Sequence, residues 1–278
     1  MESFLLGALN PIAFTLGPIE VHWYGIIIAS AVVLAVYFSV REGKRRGIIE
    51  DDVYDMLLWA LPFSIVSARA YYVIFQWSYY SRHLNEIYRI WDGGIAIYGA
   101  LIGALITVVV FCRKRMIPPM LMLDVIAPTV IMAQGIGRWG NFMNQEAYGA
   151  VTSLAFLQKL YIPSFIIQQM NIQGAYRQPT FLYESIWDLA GFVLLLCLRR
   201  REHLFKRGEV FFSYVLWYAF GRFFIEQMRT DSLMLGALRV SQWLSLFLFV
   251  GAIAVWILRR YWKPLEPWYV EGITKFDK

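Results

Sequence analysis

Histidine is scarce in this chain: His22, His83 and His203 are the full set, and none belongs to a metal-spaced motif such as H-E-x-x-H. A zinc enzyme is therefore disfavoured. No GxSxG motif occurs and no lysine stands inside an apolar run, so an intramembrane protease that cuts signal peptides with a serine and a lysine lacks its parts. The first 20 residues contain no Lys or Arg. Without the basic n-region of a cleavable secretory signal, the start of the chain is expected to stay on the mature protein. There is no repeat of about 20 to 50 residues and no low-complexity tract, which argues against a solenoid or an array. Charge is thin as well, at 17% Asp, Glu, Lys and Arg, too little for a soluble domain of ordinary composition.

What is present is apolar: 59% of the 278 residues are hydrophobic and 17% aromatic. Windows approaching a bilayer crossing, roughly 17 to 25 residues, fall at Ile19–Val40, Val53–Phe75, Ile95–Cys112, Met120–Ile136, Phe181–Leu198, Glu209–Glu226 and Val240–Leu258. The expectation is an all-α polytopic integral membrane protein with about seven transmembrane helices and a small extracytoplasmic cap. Seven spans do not divide into two equal inverted halves. Residues 1–278 therefore read as a single transmembrane domain, with 137–180 as an outer loop or cap and 259–278 as a cytoplasmic tail. Of the 26 basic residues, 17 lie in segments 41–52, 113–119, 199–208 and 259–278, against 7 in the opposite set of loops. The positive-inside rule then puts the N-terminus outside and the C-terminus in the cytoplasm. These anchors account for the net charge of +6, so a nucleic-acid partner has nothing left to explain. Cys112 and Cys197 both fall at expected cytoplasmic helix ends, where reducing surroundings argue against a disulfide, and they read as packing residues. GALIG, residues 99–103, has the small-xxx-small spacing that lets two helices approach closely.

A charge at the centre of a membrane helix costs about 2.5 to 3.5 kcal/mol, so charged residues inside the spans need partners or a purpose. With this topology, His22 and Tyr24 open the first span from outside, Arg69 lies in the last third of the second, and Tyr98 follows Gly93 and Gly94 at the outer start of the third. Arg138 and Asn141 follow the outer end of the fourth, and Glu184 and Asp188 occupy the outer part of the fifth. Tyr218, Arg222, Glu226 and Arg229 share one face of the sixth. The exception is Asp124, near the cytoplasmic end of the fourth span, read as a structural partner. Singly, each has a plain structural use: Arg69 in an ion pair, Tyr24 in an interfacial aromatic belt, Glu184 and Asp188 as counterions of Arg222 or Arg138. Belts and ion pairs have no reason to gather on one side, and the collective pattern points to a polar site at outer headgroup level. Two arginines at that depth suit a phosphate, because guanidinium offers a rigid fork of donors that matches it bidentately. The phosphate native to that depth is a phospholipid's. Gly137 and Gly140 let backbone approach a ligand closely, and Asn141 and Asn144 add donors without charge. The competing reading, a lipid flippase, requires polar residues along the cytoplasmic half too, where little beyond Asp124 stands out.

The stretch GRWGNFMNQEAYG, residues 137–149, resembles the signature of the bacterial phosphatidylglycerol:prolipoprotein diacylglyceryl transferases. HWYG, ARAYYVIF, GGIAIYG, QPTFLYE and YAFGRFFIEQMRTD are similar to that family's other blocks, in order and across essentially the whole chain. The resemblance implies transfer of a diacylglyceryl group from phosphatidylglycerol to the lipobox cysteine of a prolipoprotein signal peptide, forming a thioether and releasing glycerol 1-phosphate. It implies a bilayer setting in the bacterial cell membrane, an active site toward the outer leaflet, and no metal or soluble cofactor. By matching positions, Arg138 and Arg222 correspond to the two arginines the family depends on most, and Tyr24, Asn141, Glu146, Gly149, Tyr218 and Glu226 to other functional positions. Arg138, Arg222, Tyr24 and Tyr98 are thus the catalytic candidates. Arg138, Asn141, Glu146, Gly149, Tyr218, Glu226 and Arg69 are the substrate-binding ones.

One position departs from the pattern. After the paired glycines many members carry a histidine proposed as the base, and this chain has Tyr98. A tyrosine of ordinary pKa, about 10, is a poor base at neutral pH unless a nearby cation lowers it; otherwise the histidine is not obligatory. A thiol of pKa about 8.5 must still become thiolate. The expected cationic field of Arg138 and Arg222 favours that form, with Glu226, Glu146, Tyr24 and Tyr98 as candidates to orient groups or relay the proton.

Overall fold

In this computed structural model, residues 9–230, 234–262 and 265–273 are described, and the expected tail at 259–278 falls partly outside them. The chain opens on a hairpin. Strand β1 (Ile12–Leu16) pairs antiparallel with β2 (Ile19–His22). Gly17, at φ +59°, and Pro18 form the two-residue turn, with glycine at the first central position where φ is positive. The sequence reading starts the first span at Ile19; the alternation of Ile19, Glu20, Val21 and His22 is instead the two-residue period of a strand. Helix α1 (Trp23–Arg45) begins only after it.

There follow α2 (Glu50–Phe75), α3 (Trp77–Tyr80), α4 (Ile97–Lys114), α5 (Pro119–Met143), α6 (Leu154–Lys159), α7 (Ser164–Gln169), a hairpin of β3 (Asn171–Ile172) and β4 (Ala175–Tyr176), and α8 (Thr180–Leu198). Helix α9 (Glu209–Met228), a hairpin of β5 (Met234–Leu235) and β6 (Leu238–Arg239), and α10 (Val240–Trp262) complete the order. Six of these helices, α1, α2, α4, α5, α8 and α10, are long and apolar enough to cross a membrane, and helices satisfy their own backbone groups as a bilayer demands. The chain is a polytopic, mainly helical membrane protein. Helix α9 is 20 residues long but carries Glu209, Arg222 and Glu226, and it is not among the six.

Two boundaries correct the sequence reading near the candidate site. Helix α5 does not end at Ile136 but runs to Met143, so Arg138 and Asn141 lie in its last two turns instead of beyond it. The apolar stripe continues through Trp139 and Phe142, which pack into a core with Ile166, Met170 and Phe181, and this packing outweighs the weak helix propensity of Gly137 and Gly140. Helix α9 stops at Met228, and Arg229 is its extended C-cap (φ −77°, ψ 153°), so Arg229 does not continue the face of Arg222 and Glu226.

The described residues form two compact units, 9–38 with 126–270, and 39–125 with 271–273. In the smaller unit α2 and α4 lie antiparallel at close range. A Cβ on Gly99 would stand 2.5 Å from the Ser67 carbonyl oxygen, and one on Gly103 2.5 Å from Ser67 Oγ, the use foreseen for GALIG. Arg115 closes the basic end of this pair on Asp55 (2.6 Å) and Asp52 (3.6 Å) of α2.

In the larger unit α9 packs between α8 and α10. A reciprocal pair of tryptophans joins α8 to α9: Trp187 Nε1 donates to the Trp217 carbonyl (3.0 Å) and Trp217 Nε1 to the Trp187 carbonyl (2.9 Å), with ring centroids 4.2 Å apart. Arg260 grips Glu209 with two bonds (2.6 and 2.8 Å), joining the start of α9 to the end of α10. Residues 144–179 fold over the end of α5 and the start of α8, held by the buried Gln169. Its Nε2 donates to the Phe142 carbonyl (3.1 Å) and its Oε1 accepts from the Leu9 N–H (2.7 Å).

Candidate functional site

Helices α5, α8 and α9 of the larger unit meet at a charged knot. One carboxylate serves two arginines: Glu184 Oε1 accepts from Arg222 Nη1 (2.8 Å), and Glu184 Oε2 pairs with Arg138 Nε. Arg222 Nη2 turns to Glu226 Oε2 one turn along its own helix (2.5 Å). Trp139 Nε1 donates to Ser185 Oγ (3.1 Å), tying α5 to α8 beside Glu184. Gly135 lets the two helices approach, since a Cβ there would already lie 3.2 Å from Asp188 Cβ.

The electrostatics differ from the expected cationic field. Glu184 and Glu226 match the two guanidinium charges and Asp188 adds a carboxylate beside them, so the knot carries no excess of positive charge before any ligand arrives. Asp188, expected as a counterion, hydrogen-bonds to neither arginine but lies within electrostatic reach of both; Glu184 alone on α8 pairs with them directly. What stays open is the outer fork of Arg138. Its Nε faces Glu184, its two Nη groups hydrogen-bond to no described residue, and the side chain is 21% exposed. Such a planar pair of donors fits two oxygens of one phosphate.

Several of the expected residues lie on or beside the elements that carry this knot. The Tyr24 ring lies on Gly140, where a Cβ would meet Cδ2 at 2.7 Å. Asn141 Nδ2 donates to Glu146 Oε1 (2.9 Å), and the Glu146 N–H returns to the Asn141 carbonyl (3.0 Å), closing the turn after α5. Gly149 donates its N–H to the Gln178 carbonyl (2.9 Å) and bridges to Arg229; a Cβ there would crowd Gln178, Thr180 and the Met228 carbonyl at 2.9 to 3.1 Å. Only glycine lets the cap, the start of α8 and the end of α9 come this close. Tyr218 stands one turn before Arg222, its ring 6.2 Å from that of Tyr214, whose hydroxyl accepts from Gln134 Nε2 (3.2 Å).

Arg69 and Tyr98 belong to the smaller unit. Arg69 pairs with no carboxylate: Nε donates to the Ile87 carbonyl, Nη1 to those of Gly93 and Gly94 (each 2.8 Å), and Nη2 to that of Glu86 (2.7 Å). Four of its five donors therefore order the segment leading into α4, where Tyr98 sits in the first turn with its ring 6.5 Å from that of Tyr71. Replacing Arg69 by Ala is expected to expose residues 86–94 to limited proteolysis and to lower the melting temperature, since each hydrogen bond to a charged donor contributes about 1.5 to 3 kcal/mol. Unchanged protease resistance would count against this role.

Two features of the site go beyond the catalytic and substrate-binding candidates. Glu184, expected only as a counterion of Arg222 or Arg138, aligns both arginines, and its signal in the sequence is the four-residue spacing of Glu184 and Asp188 inside an apolar run. The tryptophan lock has a signal too: Trp187 and Trp217 are each followed four residues later by a glycine, Gly191 and Gly221, that makes room for the other ring.

A family model described as prolipoprotein diacylglyceryl transferase matches residues 11–258. The chain is 68% identical over 271 residues to the phosphatidylglycerol–prolipoprotein diacylglyceryl transferase of Pediococcus pentosaceus, covering 97% of this chain and 98% of that protein. It is 66% identical over 266 residues to the enzyme of the same name from Ligilactobacillus salivarius, covering 96% and 99%. With the one from Lactiplantibacillus plantarum the identity is 67% over 269 residues, covering 96% and 95%. A match that runs from the first hairpin to the last helix takes in every element of the charged knot, and the chain belongs to the prolipoprotein diacylglyceryl transferase family.

Proposed function

We infer that the chain is a transferase that moves the diacylglyceryl group of phosphatidylglycerol to a prolipoprotein, the first step of lipoprotein maturation. The acceptor is the thiol of a lipobox cysteine in the signal peptide; the product is a thioether and the leaving group glycerol 1-phosphate. The observation that carries the site assignment is the open fork of Arg138 held beside Arg222 by their shared Glu184.

In this reading sulfur attacks the glyceryl carbon that bears the phosphate ester. An S–C bond forms, the C–O bond breaks, and its electron pair leaves on the phosphate, which gains a second negative charge. Arg138 grips the phosphate bidentately and Arg222 stands next to it to meet the developing charge. Glu184 and Glu226 already balance both guanidinium groups, so the pair holds the monoanionic diester modestly and gains most when the second charge appears. That favours rate over tight ground-state binding. Tyr24, Asn141, Glu146, Gly149 and Tyr218 frame the lipid and peptide. Arg69 orders the segment that presents Tyr98.

Helix α9 is the seventh crossing. It packs against α8 and α10, leaves Phe220 and Phe224 exposed as a lipid-facing stripe, and pairs its own charges through Arg222–Glu226 and Glu209–Arg260. Seven crossings put the N-terminus outside and the C-terminus in the cytoplasm, with the site toward the outer leaflet of the bacterial cell membrane. The test is incubation of the purified protein in vesicles with phosphatidylglycerol and a lipobox peptide. A mass gain of one diacylglyceryl group, with equimolar glycerol phosphate, is expected. Peptide cleavage or lipid movement without transfer would defeat the reading.

A further inference from the structure

We propose that Asp188 is a catalytic residue that accepts the thiol proton of the attacking cysteine. The proposal deepens the transferase reading above and rests on it. Asp188 lies on α8 and is only 4% exposed. The groups that act on it electrostatically are Glu184 from its own helix, Arg138 from α5, and Arg222, Tyr214 and Tyr218 from α9. Its carboxylate hydrogen-bonds to no described residue, and its oxygens are not among the polar atoms sealed without a partner inside the protein. They therefore keep a small accessible surface and are not sealed among apolar atoms. A buried carboxylate that no protein donor satisfies is costly to keep, while Glu184, one turn away, already meets both arginines.

Depth supports the assignment. Displacement at carbon brings the nucleophile in from the side opposite the leaving oxygen. With the phosphate on Arg138 at headgroup level, sulfur must arrive from the acyl-chain side of the glyceryl carbon. Helix α8 runs inward from Thr180, and Asp188 is four residues beyond Glu184, about 6 Å deeper at the helical rise. In the step, the S–H bond breaks and its proton goes to the Asp188 carboxylate. Sulfur's electron pair forms the S–C bond, the C–O pair departs with the phosphate, and the proton then passes from Asp188 to the departing phosphate monoester.

The experiment compares unaltered protein, Asp188→Asn and Asp188→Glu on lipobox peptides carrying either cysteine or selenocysteine, whose selenol is already ionised at neutral pH. With the cysteine peptide, Asp188→Asn is expected to lose about 10²-fold or more, the lower end for a general base. Its residual rate should climb with pH toward the thiol pKa of about 8.5, and Asp188→Glu should recover part of the loss. With the selenocysteine peptide, Asp188→Asn should come close to the unaltered protein. Equal losses on both peptides, or no loss on cysteine, from an Asn variant that melts like the parent would overturn the proposal. If the Asn variant does not fold, Asp188→Glu decides: a cysteine-to-selenocysteine rate ratio below the parent's supports the role, and an unchanged ratio overturns it. Absence of transfer by the unaltered protein would instead defeat the transferase reading.

Discussion

Arg138→Gln is expected to lower diacylglyceryl transfer by about 10²- to 10³-fold or more, the scale for losing a preorganised donor to developing charge, while leaving the melting temperature in detergent nearly unchanged. Removing Arg138 still leaves Glu184 paired to Arg222 through the 2.8 Å bond, and Asp188 keeps Arg222 within electrostatic reach. Arg222→Gln should lose both activity and stability. It takes a guanidinium from Glu184 and from Glu226 at once, both more than nine-tenths buried. Breaking buried pairs from one side costs about 3 to 5 kcal/mol. The two variants therefore separate ligand binding from folding at a site where both arginines look alike in sequence. Mass spectrometry of the lipidated peptide and thermal unfolding read the two effects, and full transfer by a stable Arg138→Gln protein would remove the phosphate-binding role.

Gly221→Ala and Gly191→Ala are expected to produce large stability losses for the addition of a single methyl group. A Cβ on Gly221 would lie 2.1 Å from Trp187 Nε1, and one on Gly191 2.3 Å from Trp217 Nε1. Neither indole can give way, because each ring is stacked on the other and donates to the other's backbone. Overpacking of this kind costs about 1 to 3 kcal/mol, and each displaced hydrogen bond adds about 1 kcal/mol. The same lock sets the register in which Glu184 on α8 faces Arg222 on α9, so transfer should fall with it. Gly251→Ala on α10, where a Cβ meets nothing within 4 Å, is the control and should be neutral or stabilising by up to about 1 kcal/mol. A Gly221→Ala protein that melts and transfers like the parent would show that the ring pair does not set the register.

Much of this molecule is legible along the chain. Runs of apolar residues and the basic segments between them mark the helices, because insertion into lipid depends on local sums of transfer free energy that need no knowledge of partners. The ends of these runs are less legible. At Ile19 an alternating Ile-Glu-Val-His strand adjoins the apolar run of α1 and reads as its start, and at Gly137 two glycines look like a boundary though α5 continues through them, carried by Trp139 and Phe142 into a core with Ile166, Met170 and Phe181.

The polar residues divide in the same way. That Arg69, Arg138, Glu184, Asp188, Arg222 and Glu226 require partners or a purpose follows from the sequence alone, since a charge in an apolar helix is expensive wherever it ends up. Which partner each one takes does not follow. Arg69 is satisfied by four carbonyls of one loop, Glu184 holds two arginines from two other helices, and Asp188 holds none. Those outcomes depend on the register between helices, set to within a fraction of a helical turn by contacts such as the Trp187–Trp217 pair. Composition and spacing determined that this chain is a polytopic membrane protein with a polar site on a few known residues. Only the packed helices decided which of those residues touch, because a hydrogen bond is lost over a shift of about an ångström while the periodicity that makes a helix is unaffected by it.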